Sequence, residues 1–353
     1  MTIEKRIEVF TQLGRFLNLF AKARNGIPDV APEEEKLHRS LWEKIENAKH
    51  HNGWFTEENV LFSFQQWANV LSKENLTRWV SQYDITSSQN PKTVAIIMAG
   101  NIPLVGFHDF LSVLISGNKV LVKQSSNDNL FLPILVDFLI LKAAGFEELI
   151  EFTDGKLENF DAVIATGSNN TARYFEYYFS QKPHIIRKNR VSTAVLNGSE
   201  TEEELKLLGK DIFRYFGLGC RNVSKLYVPE NYDFDQFFKS IFDWKDLINH
   251  SKYANNYDYN KAVYLMSDFK ILDNGFVLLK EDESLHSPIG VIFYEYYSDK
   301  DKLKSQIEAR SDQLQCVVSK GFVENSIPFG KTQQPKLWDY ADGVDVMEFL
   351  IKS

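Results

Sequence analysis

From residue 92 onward, short apolar β-branched runs alternate with helical stretches, and this rhythm constrains the fold more than any other feature. "KTVAIIMAG" (92–100) is followed by a helical stretch to about Ile115, and "NKVLVKQSS" (118–126) by the helix "LFLPILVDFLILKAAG". "NFDAVIATGS" (159–168) opens into a helix near Asn169, and "STAVLNG" (192–198) closes the series. Strands joined by crossover helices predict a parallel, doubly wound sheet. Such sheets take their ligand in the crevice at the carboxyl ends of the strands. The loops holding Asn101, Lys123 and Gly167 belong there.

A chain of 353 residues exceeds what one core usually serves, so two domains are expected. The net charge of -8 argues against nucleic acid as the main partner, since phosphate backbones require a basic face. A local basic pocket for a small anion stays open. Hydrophobic residues at 44% and charged residues at 25% suit a soluble globular enzyme. The start "MTIEKRIEVF" lacks an apolar core segment of a signal peptide, and no apolar run is long enough to span a bilayer. Two cysteines on unlike segments form neither a disulfide framework nor a metal-ligand spacing. A cytoplasmic protein with no bound metal is expected.

Residues 1 to about 90 read as helical, with apolar residues three and four apart, and the linker "SSQNP" (87–91) marks a change of composition. A further unit begins at "NGSETEEELKLLGKDIFRYFGLG" (197–219). Ser199 and Glu202 have capping-box spacing, and the helix should end at Gly217 or Gly219. Strands follow at "NVSKLYVP", "GVIFYEYY" and "QLQCVVSKGF".

Cys220 stands in the loop between that helix and the strand after it. A thiol there, among glycines and beside Arg221, suits a nucleophile, because a neighbouring cation favours the thiolate. Cys316, in the apolar run "LQCVVS", reads as a core residue instead. Asn101 just past a strand end, Lys123 at the next strand end, Gly167 and Ser168 at a helix start, and then Cys220 form an ordered set. In this order the chain resembles the aldehyde dehydrogenase superfamily from about residue 93 onward. "GKTQQPKLWDYADGVD" (330–345) and the spacing around Cys220 most resemble the fatty acyl-CoA reductases of bacterial luminescence systems.

The resemblance implies an aldehyde dehydrogenase-like α/β fold with two doubly wound domains, a helical N-terminal region and a short C-terminal oligomerisation tail. Its domains are expected at 1–197 (helices and cofactor binding), 198–325 (nucleophile) and 326–353 (tail returning to the cofactor domain or a subunit interface). It also assigns roles. Asn101 donates its amide to the oxyanion formed when Cys220 attacks, and Lys123 bonds the adenosine ribose. Thr166, Gly167 and Ser168 lie near the pyrophosphate, although Ala172 replaces the family's second glycine. Ser126 stands where a glutamate often grips both ribose hydroxyls, so NADPH is expected over NADH, with less repulsion toward a 2′-phosphate. His184 and His286 are candidate proton donors or polar lining. Arg187 and Arg190, with Lys188 between them, are candidate phosphate contacts, the alternative being a solvated turn.

Oxidising members of the superfamily carry a glutamate that activates water. The matching position falls near Ile186 or Arg187, and residues 185–198 hold no acid. Without a base, water attacks a thioester poorly, whereas a thiolate leaves or attacks unaided. The expectation is therefore reduction of acyl-CoA to aldehyde through an acyl-cysteine, with coenzyme A as leaving group. Acyl phosphates, acyl groups from a partner acyltransferase, or a non-catalytic binding role are the alternatives. Homo-oligomers are expected, from tails pairing with a neighbour's sheet.

Overall fold

The computed structural model describes residues 1–22, 30–85 and 91–353. Two compact units are formed, one by Met1–Lys188 with Lys336–Ser353, the other by Asn189–Pro335.

The first unit begins with α1 (Ile3–Lys22), α2 (Glu35–His51), α3 (Glu57–Val70) and α4 (Lys73–Val80), as the periodicity predicts. Thr56 and Ser72 cap α3 and α4 by accepting from Asn59 N and Asn75 N. Phe10, Leu13, Leu17 and Phe20 form the buried stripe of α1. The linker 87–91 lies outside the described residues except for Pro91.

The sheet that follows contains β1 (Thr93–Ile97), β2 (Lys119–Lys123), β3 (Ile150–Phe152), β4 (Ala162–Thr166) and β5 (His184–Arg187). Its order is β3-β2-β1-β4-β5, all pairs parallel. Between these strands run α5 (Phe107–Ile115), α6 (Leu132–Lys142) and α7 (Asn169–Phe179). Strand order reverses between β1 and β4, which opens a crevice at their carboxyl ends. α6 buries residues all round, including Leu132, Leu135, Phe138 and Leu139, and Phe138 stacks on Phe16 of α1 at 4.6 Å. This packing joins the N-terminal helices to the sheet.

In the second unit, β6 (Val191–Val195), α8 (Glu202–Phe213), β7 (Val223–Pro229), α9 (Phe234–Ser240) and α10 (Ser251–Met266) come first. Then come β8 (Ile271–Asp273), β9 (Leu278–Glu281), β10 (Val291–Tyr297), α11 (Lys300–Ala309) and β11 (Leu314–Ser319). The sheet order is β11-β6-β7-β10-β9-β8, parallel apart from the β8–β9 pair. Residues 192–198, expected to close the first sheet, therefore belong to the second, and the division expected at 197/198 falls at Lys188/Asn189. β6 has neighbours on both edges, β7 and β11, and Ser192 to Val195 are all buried, as a central strand requires.

The expected cap of α8 also shifts. Thr201 is the N-cap, in a capping box with Glu204. Ser199 is engaged by Asn197 through its backbone N at 2.8 Å, and Glu200 folds back on Asn197 N and Gly198 N. Ser199 is thus spent on the turn, and Glu202 pairs with Lys206 one turn into the helix. After β11 the chain leaves the second unit at Pro335 and ends in α12 (Val346–Lys352), packed on α5 of the first. The tail, from Lys336, belongs to the first unit, and Val346, Met347 and Leu350 make one buried face of its terminal helix. Among the described residues, no helix is long and apolar enough to cross a membrane.

Candidate active site

Cys220 is exposed and Cys316 buried in β11, as their settings suggested. α8 stops at Phe213, and the next turn places Tyr215 (φ 55°), Phe216 (φ 58°) and Gly217 (φ 77°) in succession in the left-handed region. Two bulky aromatic residues in that conformation are held against their preference. Asn222, 2% exposed, supplies much of the restraint. Its Nδ2 donates to the carbonyls of Asp211 (3.1 Å), Ile212 (3.1 Å) and Arg214 (2.8 Å), and its Oδ1 accepts from Gly219 N at 2.8 Å. One amide thereby satisfies carbonyls left open at the end of α8 and ties down the thiol-bearing loop. Ser192 Oγ of β6 donates to the Cys220 carbonyl at 3.0 Å.

A second tie reaches the loop through Arg221, whose Nε donates to Thr332 O at 2.6 Å. Thr332 and Gly330 are anchored in turn to the buried Asp211. Its carboxylate accepts from Gly330 N at 2.6 Å, Thr332 N at 3.0 Å and Thr332 Oγ1 at 2.8 Å. Burial pushes the Asp211 carboxyl up to about 6, and these donors draw it partly back. Residues 330–332 thus support the thiol-bearing loop.

Cys220 lies at the amino end of β7. The segment before β10 lies at the same edge, because β7 and β10 run parallel with Lys225 opposite Phe293. Ser224 Oγ fixes this segment by donating to Leu285 O at 2.7 Å. His286 is next to that contact, and partial desolvation lowers its pKa. Beside the loop is a cavity of about 50 Å³, lined by Phe216, Gly217, Ser224, Tyr253, Ile289 and Gly290 among others.

In the first unit the carboxyl ends of β1, β2 and β4 come level, with Ile97 opposite Lys123 and Ala165. Asn101, Lys123, Ser126, Thr166, Gly167 and Ser168 all fall at this edge. Asn101, Ser126 and Ser168 are exposed, while Lys123, Thr166 and Gly167 are half-buried. Lys123 Nζ donates to Gly155 O at 2.7 Å. Ser168 caps α7, accepting from Thr171 N at 3.2 Å. At Gly167 an added Cβ would lie 3.0 Å from Phe175 and 3.1 Å from Thr171, so a side chain there would crowd both. A small hydroxyl, an amine and a helix start at one sheet edge are a donor set that fits a nucleotide.

Three expectations for this unit and its border change. His184 begins β5 opposite Val163, three registers from Arg187 and roughly 10 Å from the carboxyl edge. It therefore sits at the wrong end of the sheet to act there. Arg187 is 7% exposed and holds the buried Asp109 of α5 bidentately, Nη2 to Oδ1 at 2.9 Å and Nη1 to Oδ2. Its guanidinium serves that pair instead of facing a phosphate. Arg190 Nη1 donates to the carbonyls of Ser311 (3.2 Å) and Leu314 (3.1 Å), bracing the start of β11.

The sequence reading missed Asn222, Asp211, Thr332 and Ser192, the residues that hold Cys220 in place. Asn222 directly before an apolar strand was the one available signal. It also missed Asp109 and Asp128. The latter is 8% exposed and its carboxyl is pushed up to about 7, burial outweighing a hydrogen bond from Leu104 N.

The fold is that of the aldehyde dehydrogenases. An aldehyde dehydrogenase C mutant from Pseudomonas syringae, described in complex with NAD+ and octanal, superposes with a TM-score of 0.63. It shares 12% identity over 91% of this chain and 73% of that one. An aldehyde dehydrogenase from Physcomitrella patens, described with the product succinate, gives 0.64 at 14% identity, covering 90% and 73%. Within this fold, the chain belongs to the acyl-CoA reductase (LuxC) family, whose model matches residues 68–293. It is 21% identical over 227 residues to the long-chain acyl-protein thioester reductase of Aliivibrio fischeri, covering 59% of this chain and 47% of that protein. The chain thus spans about half the length of the curated relative it matches.

Proposed function

We propose that this protein reduces acyl-CoA thioesters to aldehydes, with Cys220 as the acyl carrier and NADPH as the electron donor. The observation that carries the reading is an exposed thiol on a loop fixed by Ser192, Asn222 and Arg221. A thiolate so held attacks the thioester carbonyl, and the coenzyme A thiolate departs as the acyl-cysteine forms. Asn101 supplies an amide to the oxyanion, a donor whose removal typically costs about 10²–10³ in rate.

Lys123 and Ser126 would hold the adenosine ribose and its 2′-phosphate, and Thr166, Gly167 and Ser168 would face the pyrophosphate. When bound, a reduced nicotinamide supplies the hydride that the acyl carbon accepts. Cys220 then leaves as a thiolate, and the carbonyl reforms as an aldehyde. His286 is the proposed polar lining or proton donor. The segment 185–198, where a water-activating glutamate would stand, holds no acid; hydrolysis of the acyl-cysteine is therefore disfavoured.

Mass spectrometry after mixing with a panel of acyl-CoAs tests the reading. An acyl adduct on the Cys220 peptide, discharged by NADPH with release of aldehyde, is the expected result. Oxidation of aldehydes to free acids as fast as acyl-CoA is reduced would sink it. A protein-borne acyl thioester, delivered by an acyltransferase, is the second reading, favoured by the name of the Aliivibrio relative. Acyl-CoA, acyl phosphate and an acylated carrier protein offered side by side separate the donors.

A further inference from the structure

Asp128 lies in the turn after β2, and the loop bearing Asn101 is bracketed by that same turn at both ends. On the far side of Asn101, Leu104 N donates to Asp128 Oδ2 at 2.8 Å. On the near side, a Cβ at Gly100 would lie 2.5 Å from Ser125 Oγ and 3.1 Å from Asp128 N. Glycine is thus required for the two loops to approach so closely. Leu104 is buried at 4% exposure with φ 57°, a conformation a leucine adopts only under restraint. The carboxylate on its N–H is such a restraint, and Ser63 Oγ, donating to Pro103 O at 2.9 Å, is another.

The turn at Asp128 is itself braced. Asp128 N donates to Ser125 O at 3.0 Å, and Gln124 Nε2 to Asp128 O at 3.3 Å. At the end of α2, a His51 ring nitrogen lies 2.8 Å from Ser126 O, and Asn52 Nδ2 donates to Asn127 O at 3.2 Å. A continuous path therefore runs from α2 through residues 124–128 to the two ends of the Asn101 loop.

We propose that Asp128 is a positioning residue that sets the Asn101 loop and the Ser126 turn as one piece, so that oxyanion donor and ribose site depend on the same carboxyl. This rests on the reading of Asn101 and Ser126 given above. Asp128 touches neither ligand in that reading; it acts through the Leu104 N–H and through its own turn.

The test measures two separate quantities in the full chain, the rate of Cys220 acylation by an acyl-CoA without nucleotide, and the Kd for NADPH by fluorescence. Asp128→Ala is expected to slow acylation about 10–100-fold, the scale on which small misplacements of catalytic groups act, and to weaken NADPH binding about tenfold. Asp128→Asn keeps an oxygen for Leu104 N and is expected to restore both within about threefold. Asp128→Ser, small enough for the site but too short to reach, serves in place of alanine should that variant not fold. Loss of thermal stability with both constants unchanged overturns the proposal, as does an asparagine variant no better than alanine. Asn101→Ala separates the two claims. If it slows acylation while Asp128→Ala and Asp128→Ser do not, this proposal alone fails; if Asn101→Ala changes nothing, the reading of the site falls and the proposal with it.

Discussion

Ser126 exposes a small neutral hydroxyl in the loop after β2, three residues beyond Lys123. A carboxylate there would repel a 2′-phosphate and accept from two ribose hydroxyls, so Ser126→Glu is expected to move preference toward NADH. The ratio of kcat/KM for the two nucleotides should change by about tenfold or more. In the proposed reaction Cys220 makes the opposite kind of contribution, through reactivity alone. Cys220→Ala should lower turnover by at least about 10³-fold while leaving the NADPH Kd within about twofold, measured by fluorescence titration. A large change in Kd would mean that the thiol also shapes the nucleotide site.

At the scale of elements, the junction of α8 with β7 carries the backbone strain and the proposed nucleophile together. Asn222→Ala would leave three carbonyls and one N–H without the buried amide that serves them. A loss of about 3 kcal/mol or more is expected in chemical denaturation, with slower acylation of Cys220. Asp211 adds a pH dependence of definite sign. Its folded value of about 6 lies above the ordinary carboxylate value of 3.8, so the folded state binds the proton more tightly. The associated stability is fully present below about pH 4 and is lost as pH rises through about 6. Asp211→Asn should remove this slope from a stability profile measured between pH 4 and 7, whatever its effect at one pH.

Much of this was readable in the sequence at the level of elements. The strands 93–97, 119–123 and 162–166 announced themselves through β-branched runs, and Ser168 through its place before a helix. The sheet that claims Val191–Val195 did not, because a fully buried strand looks the same in either sheet. Charge at Arg187 and Arg190 marked interest without showing direction, and both side chains turned inward, to a carboxylate and to two carbonyls. Among the supports of Cys220, Asn222 is local, whereas Ser192, Asp211 and Thr332 lie at distances along the chain that no local pattern spans.

On the scale of the whole molecule, the segment Lys336–Ser353 completes the first unit. Leu337, Val346, Met347 and Leu350 are buried there, each contributing roughly 1.5–3 kcal/mol. Trp79 Nε1 and Tyr83 each lie 2.7 Å from the Tyr340 hydroxyl, and Tyr83 donates to Asp345 Oδ2 at 2.7 Å. Removing residues 336–353 is therefore expected to cost an amount comparable with the roughly 5–15 kcal/mol of a typical domain's margin. Hydrogen exchange should show α4 and α5 losing protection while the sheet of the second unit keeps it.

The same return of the chain sets an order on biosynthesis. A ribosome delivers the first 188 residues of one unit, then all of the other, and only then the piece that seals the first. The contiguous unit, which carries Cys220, is complete before the interrupted one is. Of these two units, the one whose chain emerges earlier is the one that waits longer to be finished.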